Sequence, residues 1–221
     1  KYNFTTPEEA PERVKDADVL IINKVPINEN TVGTAKNLKL VCVTATGTNN
    51  LDKDYLDSHK IAWRNVAGYS TETVTQHTFA MLFYLLEKLR YYDDYVKDGN
   101  YINDTSFTHF AEHFSEINGK TWGIIGLGAI GAMVANDAHS LGMNVIGYDP
   151  FISVDAAWSL SRGVSKAESL DILLGKADYI TIHVPQTNET KGFINAEKLK
   201  IMKNGVRILN FARGGLVNNA D

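Results

Sequence analysis

The 221-residue chain lacks the features that mark several large classes of protein. Its single cysteine, Cys42, excludes an intramolecular disulfide, and its place in the apolar run LKLVCVTA predicts a small buried side chain rather than a reactive thiol. No apolar run approaches the roughly 18 residues of a membrane-spanning helix, and the N-terminus lacks the layout of a signal peptide. We therefore expect a soluble, cytoplasmic protein with no membrane partner.

Positive charge is not in excess either. The chain has 22 lysines and arginines against 26 aspartates and glutamates, a formal net charge of −4 and a pI near 5.9. Because nucleic acids and anionic membranes are bound by clustered positive charge, we expect no nucleic-acid partner. The composition, 44% apolar and 22% charged, is typical of a globular chain.

The order of strand-like and helical runs predicts the fold class. Short apolar strands are predicted at Asp18–Ile22, Leu38–Thr44 and Ile61–Val66, followed by one long helix over Glu72–Gly99. The apolar stripe of that helix repeats at three- and four-residue spacing, at Phe79, Leu82, Phe83, Leu86 and Leu89. Residues 100–118 show no period, as in an arm or connecting loop.

A second alternation follows residue 118. The predicted strands are Lys120–Ile125, Met143–Asp149, Asp178–Val184 and Val206–Ala212, and the predicted helices are Ala129–Leu141, Glu168–Leu174 and Asn195–Met202. Strands that alternate with helices imply parallel sheets with right-handed crossovers. We therefore predict an α/β fold with two Rossmann-like or flavodoxin-like domains, residues 1–74 and 75–221, the second being a doubly wound dinucleotide-binding domain. The hinge is expected near Ser70–Val74.

The stretch GLGAIG carries the most specific local signal. Gly126, Gly128 and Gly131 form G-x-G-x-x-G between a predicted strand and a predicted helix, and Asp149 lies 21 residues after Gly128. In a dinucleotide site the glycines permit the tight turn, the approach of the pyrophosphate and close packing, while an acid about 20 residues on binds the ribose hydroxyls. No arginine follows Asp149 closely, which favours NAD over NADP. A purely structural glycine turn is the alternative.

Arg213 is the candidate for binding a substrate. It follows the last predicted strand, at the carboxyl end of a parallel sheet, where ligands of such sheets bind. Its rigid guanidinium can bridge the carboxylate and the carbonyl oxygen of a 2-oxo acid. A surface arginine in a glycine-rich turn is the alternative on spacing alone.

The histidines give weaker signals. His183 ends a predicted strand, but its H-x-P setting favours a packed position near the cofactor over a proton donor. His109 and His113 are spaced to share a helix face, yet no third ligand accompanies them, so we predict no metal site.

Several motifs in order resemble the D-isomer-specific 2-hydroxyacid dehydrogenase family. They are GLGAIG, GYDP, TIHVPQTNETKGFIN and ILNFARGGLVN, preceded by VTATGTNNLD and NVAGYSTETVTQHTFAMLFYLLEKLR. The resemblance covers nearly the whole chain and implies hydride transfer between NAD(H) and a small 2-oxo or D-2-hydroxy acid, favouring hydroxypyruvate and D-glycerate. The half up to about Gly126 is most similar to glycerate dehydrogenases (hydroxypyruvate reductases). The downstream half is more similar to phosphoglycerate dehydrogenases of serine biosynthesis, which is the alternative activity.

The resemblance also implies roles for individual residues. Arg213 would grip the substrate carboxylate and carbonyl, the amides of Thr46 and Gly47 would hold the carboxylate, and Lys24 would meet a hydroxyl or a phosphate. The implied cofactor-binding residues are Gly126, Gly128, Ala129, Ile130, Gly131, Asp149, His183, Val184, Pro185, Thr190, Asn210, Phe211 and Ala212.

Further expectations concern assembly and completeness. The family implies a homodimer formed through the nucleotide domain, with Leu85–Asn118 as candidate contacts. It also implies a proton-donating histidine with a partner glutamate downstream of Arg213, and a first strand and helix before Lys1. The chain therefore looks shortened at both ends and is expected to bind NADH with negligible turnover. Three hypotheses stay open: an active dehydrogenase with residues beyond this sequence, an NAD-binding module without turnover, and an engineered fusion or fold-testing fragment.

Overall fold

A computed structural model describes residues 1–221, and the chain divides into two compact units, Lys1–Ser70 and Thr71–Asp221. Each unit contains a parallel sheet with helices in its crossovers, which confirms the predicted α/β class. None of the helices combines the length and apolar character needed to cross a bilayer.

The first unit contains a three-stranded sheet in the order β1-β2-β3. Its strands are β1 Val19–Ile22, β2 Leu40–Val43 and β3 Ala62–Asn65, and its helices are α1 Ala10–Val14, α2 Glu29–Val32 and α3 Lys53–Ser58. Val41 and Leu56 are completely buried in the core between this sheet and its helices. Asn28 and Asp52 cap α2 and α3 by accepting backbone N–H groups, which explains where these short helices begin.

The second unit contains a five-stranded parallel sheet. Its strands are β4 Thr121–Ile125, β5 Asn144–Tyr148, β6 Val164–Lys166, β7 Tyr179–Ile182 and β8 Arg207–Asn210. Its α-helices are α4 Thr71–Leu86, α5 Leu89–Lys97, α6 Ala129–Ser140, α7 Val154–Trp158, α8 Leu170–Lys176 and α9 Ala196–Ile201. Two short 3₁₀ helices span Tyr101–Asn103 and Gly214–Leu216.

The strand order of the second sheet is β6-β5-β4-β7-β8. The chain therefore runs outward from β4 in one direction through β5 and β6, then returns to the other side of β4 with β7. Ligands of doubly wound sheets bind at such a reversal, outside the carboxyl ends of the strands. Ile125 pairs with Ile182 at this point, so Gly126 and His183, the residues that follow them, emerge side by side.

The buried centre of the second sheet contains a polar pair. Trp122 in β4 and Thr181 in β7 are both fully buried, and the indole N–H of Trp122 donates to Thr181 Oγ1 at 3.1 Å. A buried indole N–H without an acceptor is costly, so this bond fixes the neighbouring strands at a position where most side chains are apolar.

The single long helix predicted over Glu72–Gly99 is wrong. The structure has two helices instead, because Lys88 adopts a left-handed conformation with φ 53° and ψ 37°. The apolar stripe therefore does not continue past this residue, and Leu89, which was expected on the buried face, is 47% exposed. The predicted end is right, since Gly99 follows α5 with a φ of 77°.

Two elements between Asp149 and Glu168 were not predicted from the sequence. Helix α7 has five residues and strand β6 three, and β6 reads VSK, without an apolar run. Such short elements carry too little periodicity to stand out in a sequence. Strand β6 forms at the sheet edge through its pairing with β5.

Candidate functional site

The glycine turn between β4 and α6 is tightly enclosed on one side. Gly126 has a φ of 91°, a conformation that favours glycine. A Cβ at this position would lie 2.8 Å from Val184 Cγ1 and 3.0 Å from the carbonyl oxygen of His183. The turn therefore packs directly on the segment that follows β7, as the strand order requires.

The other two glycines of the motif have opposite surroundings. A Cβ on Gly131 would collide with the carbonyl oxygen of Gly126, so α6 approaches the turn more closely than any side chain permits. A Cβ on Gly128 would meet no atom within 4 Å. Gly128 is the N-cap of α6, and no side chain caps this end of the helix. The first N–H groups of α6 are thus available to an anion that approaches over Gly128.

Asp149 lies at the end of β5 and is bonded to the same turn. One carboxylate oxygen accepts the backbone N–H of Leu127 at 2.8 Å, and the other accepts the N–H of Phe151 at 2.9 Å. Each oxygen has a second lone pair, so the group can also accept hydrogen bonds from two ribose hydroxyls. Its negative charge disfavours a phosphate at the same place, consistent with NAD rather than NADP.

The imidazole of His183 is largely buried, and one of its nitrogens lacks a hydrogen-bond partner. Its Nε2 is fully buried and has no hydrogen-bond partner, although the residue as a whole retains some surface. Burial lowers the pKa of His183 to about 4, so the imidazole is neutral near pH 7. A neutral imidazole is a poor proton donor, which supports the prediction that this residue is not the acid of the reaction.

The loop after His183 is held by threonine hydroxyls. Thr190 Oγ1 donates to the carbonyl oxygen of Pro185 at 2.8 Å and accepts the N–H of Thr187 at 2.7 Å. These bonds close the loop locally and keep Pro185 close to the strand end. The hydroxyl of Thr190 is therefore engaged in the loop itself.

Arg213 lies in a turn that connects β8 to the second 3₁₀ helix. Its side chain is exposed and Nη1 donates to the carbonyl oxygen of Ala212 at 2.9 Å. The side chain of Asn210 spans the turn, accepting the N–H of Ala212 at 3.1 Å and donating to the carbonyl oxygen of Arg213 at 2.7 Å. Phe211 packs edge-on against His77 of α4, with ring centroids 5.2 Å apart.

The predicted residues of the first unit lie in loops at the carboxyl ends of β1 and β2. Lys24 is exposed after β1, and Thr46 is exposed after β2, where its hydroxyl donates to the carbonyl oxygen of Val66 at 3.0 Å. Gly47 is half-buried beside it. Asn50 connects the two loops, since its Nδ2 donates to the carbonyl oxygen of Val25 at 2.9 Å.

The shared helix face suggested for His109 and His113 does not exist, because both residues lie outside any helix. His109 stacks on Tyr95, with ring centroids 3.8 Å apart, and its Nε2 is 2.8 Å from the hydroxyl of Tyr91. No group of three or more metal-ligating side chains is found in the chain. His109 therefore attaches the irregular segment to α5.

The geometry of the second unit fits a dinucleotide. The space over Gly128, the uncapped end of α6 and the carboxylate of Asp149 lie at the point where the strand order reverses. A pyrophosphate over Gly128 would meet the α6 amides, and a ribose would meet Asp149.

The comparisons with known proteins agree with this geometry. Residues 79–221 match the model of the family described as D-isomer specific 2-hydroxyacid dehydrogenase, NAD binding domain. The chain is 37% identical to a glycerate dehydrogenase of Methylorubrum extorquens over 100% of its own length and 67% of that protein. It is 34% identical to a D-3-phosphoglycerate dehydrogenase of Archaeoglobus fulgidus over 100% of its length and 40% of that protein.

A solved structure gives the same result. The D-lactate dehydrogenase of Aquifex aeolicus, complexed with NAD and lactic acid, superposes with a TM-score of 0.80 at 33% identity, over 94% of this chain and 60% of that one. The chain belongs to the D-isomer specific 2-hydroxyacid dehydrogenase family, and it carries the family's NAD-binding domain. It spans between about two fifths and two thirds of the length of these relatives.

Some residues that shape the site were not identified from the sequence. Gln186 packs against Gly215, where a Cβ would clash with its amide group, and the N–H of Gly192 donates to the carbonyl oxygen of Gly215 at 2.7 Å. These contacts join the segment after β7 to the turn that carries Arg213. Gln186 lies inside the motif TIHVPQTNETKGFIN, but a glutamine gives no periodic signal, and only the pairing of β7 with β8 brings it to Gly215.

Proposed function

We propose that the chain is part of an NAD-dependent D-2-hydroxyacid dehydrogenase that interconverts hydroxypyruvate and D-glycerate. The observation that carries this proposal is the position of two turns at one edge of the same sheet. The glycine turn with Asp149 follows β4 and β5, and the Arg213 turn follows β8. A cofactor-binding turn and a carboxylate-binding cation at that edge are what hydride transfer to a 2-oxo acid requires.

The chain's own residues would bind and orient the reactants. When bound, the nicotinamide supplies or accepts the hydride. Arg213 would hold the substrate carboxylate and polarise the carbonyl oxygen, while the amides of α6 hold the pyrophosphate. The neutral imidazole of His183 would line the cofactor site, together with Val184, Pro185 and Thr190, and the backbone of residues 210–212 would face the nicotinamide.

We further propose that residues 1–74 are a substrate domain and residues 75–221 the NAD-binding domain. Thr46 and Gly47 would offer backbone amides to the carboxylate, and Lys24 would meet the far end of the substrate. The link between the Lys24 loop and the loop after β2, made by Asn50, supports this assignment because it keeps both loops in one arrangement.

Phosphohydroxypyruvate is the second candidate substrate. The similarity to a phosphoglycerate dehydrogenase and the exposed cation of Lys24 favour it, since an ammonium group is a suitable partner for a phosphate. Hydroxypyruvate, phosphohydroxypyruvate, pyruvate and glyoxylate are to be compared for their ability to displace the unreactive analogue oxamate from the NADH-loaded protein. Our proposal predicts the strongest displacement by hydroxypyruvate. Preference for the phosphorylated acid, lost in Lys24→Met, would assign the second candidate instead.

Arg213→Gln tests the carboxylate role. We expect oxamate to bind the NADH-loaded variant at least about tenfold more weakly, because a charge-assisted pair is lost. The matched control is Arg162→Gln, since Arg162 is also exposed but precedes β6, at the opposite edge of the sheet. Equal oxamate affinity in all three proteins would refute the assignment.

We propose a homodimer whose contacts include Leu85–Asn118. This segment exposes a set of large apolar side chains, Leu85, Leu89, Val96, Ile102, Phe107 and Phe110. An open depression of about 450 Å³ lies at Leu85, lined by Tyr84 and Tyr91 and by four charged residues, Lys88, Arg90, Asp94 and Glu112. Large exposed apolar side chains concentrated in one segment of the chain support its assignment to an interface. Light scattering should give the mass of two chains, and Phe107→Asp should shift it towards one, whereas Phe151→Asp, at another exposed phenylalanine, should not.

We also propose a cytoplasmic location. The single half-buried cysteine supports it, since proteins of oxidising compartments usually contain paired cysteines. Fractionation of the source cells, with detection of the protein by antibody, tests the location. Recovery in an extracellular fraction would contradict it.

A further inference from the structure

The side chain of Asn210 spans the turn that carries Arg213. Asn210, the last residue of β8, uses both ends of its amide group: Oδ1 accepts the N–H of Ala212 at 3.1 Å, and Nδ2 donates to the carbonyl oxygen of Arg213 at 2.7 Å. Asparagine commonly closes turns by accepting a backbone N–H two residues further on, as Asn210 does from Ala212. The second bond is additional, and it acts directly on the backbone of Arg213.

The carbonyl oxygen of Arg213 has a second partner on its other side. Arg213 is the N-cap of the 3₁₀ helix Gly214–Leu216, and its carbonyl oxygen also accepts the N–H of Leu216 at 3.2 Å. Leu216 is completely buried, so it fixes the far end of the turn in the core. The backbone of Arg213 is therefore held between a strand end and a buried anchor, in an extended conformation with φ −144° and ψ 136°.

We propose that Asn210 is a positioning residue that directs the Arg213 guanidinium toward the substrate carboxylate. An arginine side chain has many rotamers, and its usefulness as a carboxylate clamp depends on a fixed backbone origin and direction. The bond from Asn210 Nδ2 fixes the peptide group of Arg213 on the side that faces β8. This inference rests on the proposed role of Arg213 and extends it to the residue that holds the arginine in place.

The test compares oxamate affinity at saturating NADH with melting temperature. Asn210→Ala loses both bonds, and we expect oxamate to bind about tenfold more weakly. Asn210→Ser keeps a hydroxyl that can accept the N–H of Ala212, but that hydroxyl is too short to replace the donor to the Arg213 carbonyl. We expect Asn210→Ser to recover the melting temperature and not the oxamate affinity.

Asn218→Ala is the matched control. Asn218 makes a similar local bond, in which its Oδ1 accepts the N–H of Ala220 at 3.3 Å, but it follows the 3₁₀ helix rather than the turn that carries Arg213. Its removal should leave oxamate affinity unchanged. Arg213→Ala, measured in parallel, checks the underlying assignment of Arg213.

The outcomes separate the two claims. Loss of oxamate affinity in Asn210→Ala and Asn210→Ser, with Asn218→Ala unchanged, supports the positioning role. Unchanged affinity in Asn210→Ala, or joint recovery of affinity and melting temperature in Asn210→Ser, overturns it. If Arg213→Ala itself binds oxamate as the original protein does, the proposed function fails instead.

Discussion

The carboxylate of Asp149 accepts the backbone N–H of Leu127 at 2.8 Å, which joins the end of β5 to the middle of the glycine turn. The residue expected to bind the cofactor ribose thus also holds the loop expected to bind the pyrophosphate. Two parts of one ligand would be recognised by groups that are bonded to each other, so the spacing between them is fixed before the ligand arrives.

Changes at Asp149 should separate these two roles. Asp149→Ala is expected to weaken NADH binding by at least about tenfold, because hydrogen bonds to a charged group contribute about 1.5–3 kcal/mol each. Asp149→Asn keeps one oxygen that can accept the N–H of Leu127, but its NH2 cannot accept the N–H of Phe151. Its melting temperature should therefore fall less than that of Asp149→Ala, while NADH still binds more weakly. Calorimetric titration gives the affinity. Asp137→Ala, at an exposed acid near the far end of α6, is the control, and equal NADH affinity in all four proteins would remove Asp149 from the site.

Two glycines of the motif should respond differently to alanine. Gly131→Ala is expected to destabilise the fold, because its methyl group would collide with the carbonyl oxygen of Gly126. Gly128→Ala should fold normally, since no atom lies within 4 Å of the added Cβ and its φ of −67° suits any residue. It should nevertheless bind NADH more weakly, because the methyl group occupies the space proposed for the pyrophosphate. Thermal melting and NADH titration measure the two effects, and full NADH affinity in Gly128→Ala would argue against that placement.

The buried imidazole of His183 should make the stability of the protein depend on pH. Burial lowers the pKa of His183 from the ordinary histidine value of 6.5 to about 4 on folding, so the unfolded chain binds more protons than the native state between these values. Stability should therefore fall as the pH drops through that window and should not change for this reason above about pH 6.5. Because of this group, the free energy of unfolding should be about 2 kcal/mol lower at pH 5 than at pH values well above 6.5.

His183→Gln removes this titration. Urea unfolding at pH 7 and pH 5 should show that the original protein loses more stability on acidification than the variant does. His113→Gln, at an exposed histidine outside any helix or strand, serves as the control for the substitution itself. Identical pH dependence in His183→Gln and the original protein would show that the imidazole is not buried in this way.

Thr181→Val tests the buried polar pair of the second sheet. The substitution keeps the shape of the side chain but removes the acceptor of the Trp122 N–H, so it should cost about 1–3 kcal/mol of unfolding free energy. Thr73→Val, on the exposed side of α4, provides a comparison at the surface. Chemical unfolding measures both, and a neutral Thr181→Val would mean that the indole finds another partner.

Much of the fold was predictable because its strands are apolar runs with clear limits. The strands around Ile124, Ile146 and Ile180 are buried on both faces, and such runs are distinct in a sequence. The break at Lys88 was not predictable, because a lysine has no preference for a left-handed conformation and tertiary contacts must impose it. Strand β6 depends likewise on its neighbour rather than on its own residues.

The candidate site also has one part that could be predicted from the sequence and one part that could not. Gly126, Gly128, Gly131 and Asp149 could be proposed from spacing because a tight turn restricts which residues can occupy them, and the structure brings them together in one turn. The contacts that hold the turns were not found, since the bonds of Asn210 and the packing of Gln186 on Gly215 depend on which strand ends lie together. The clash expected between a side chain at Gly215 and Gln186 becomes evident only in three dimensions.

The most direct test of the account is a titration of the purified chain with NADH and with NADPH. Because the open Gly128 turn is paired with a carboxylate, we expect one NADH to bind per chain, at least about tenfold more tightly than NADPH, since a 2′-phosphate would lie against Asp149. A folded chain that binds neither nucleotide, or that prefers NADPH, would contradict the account.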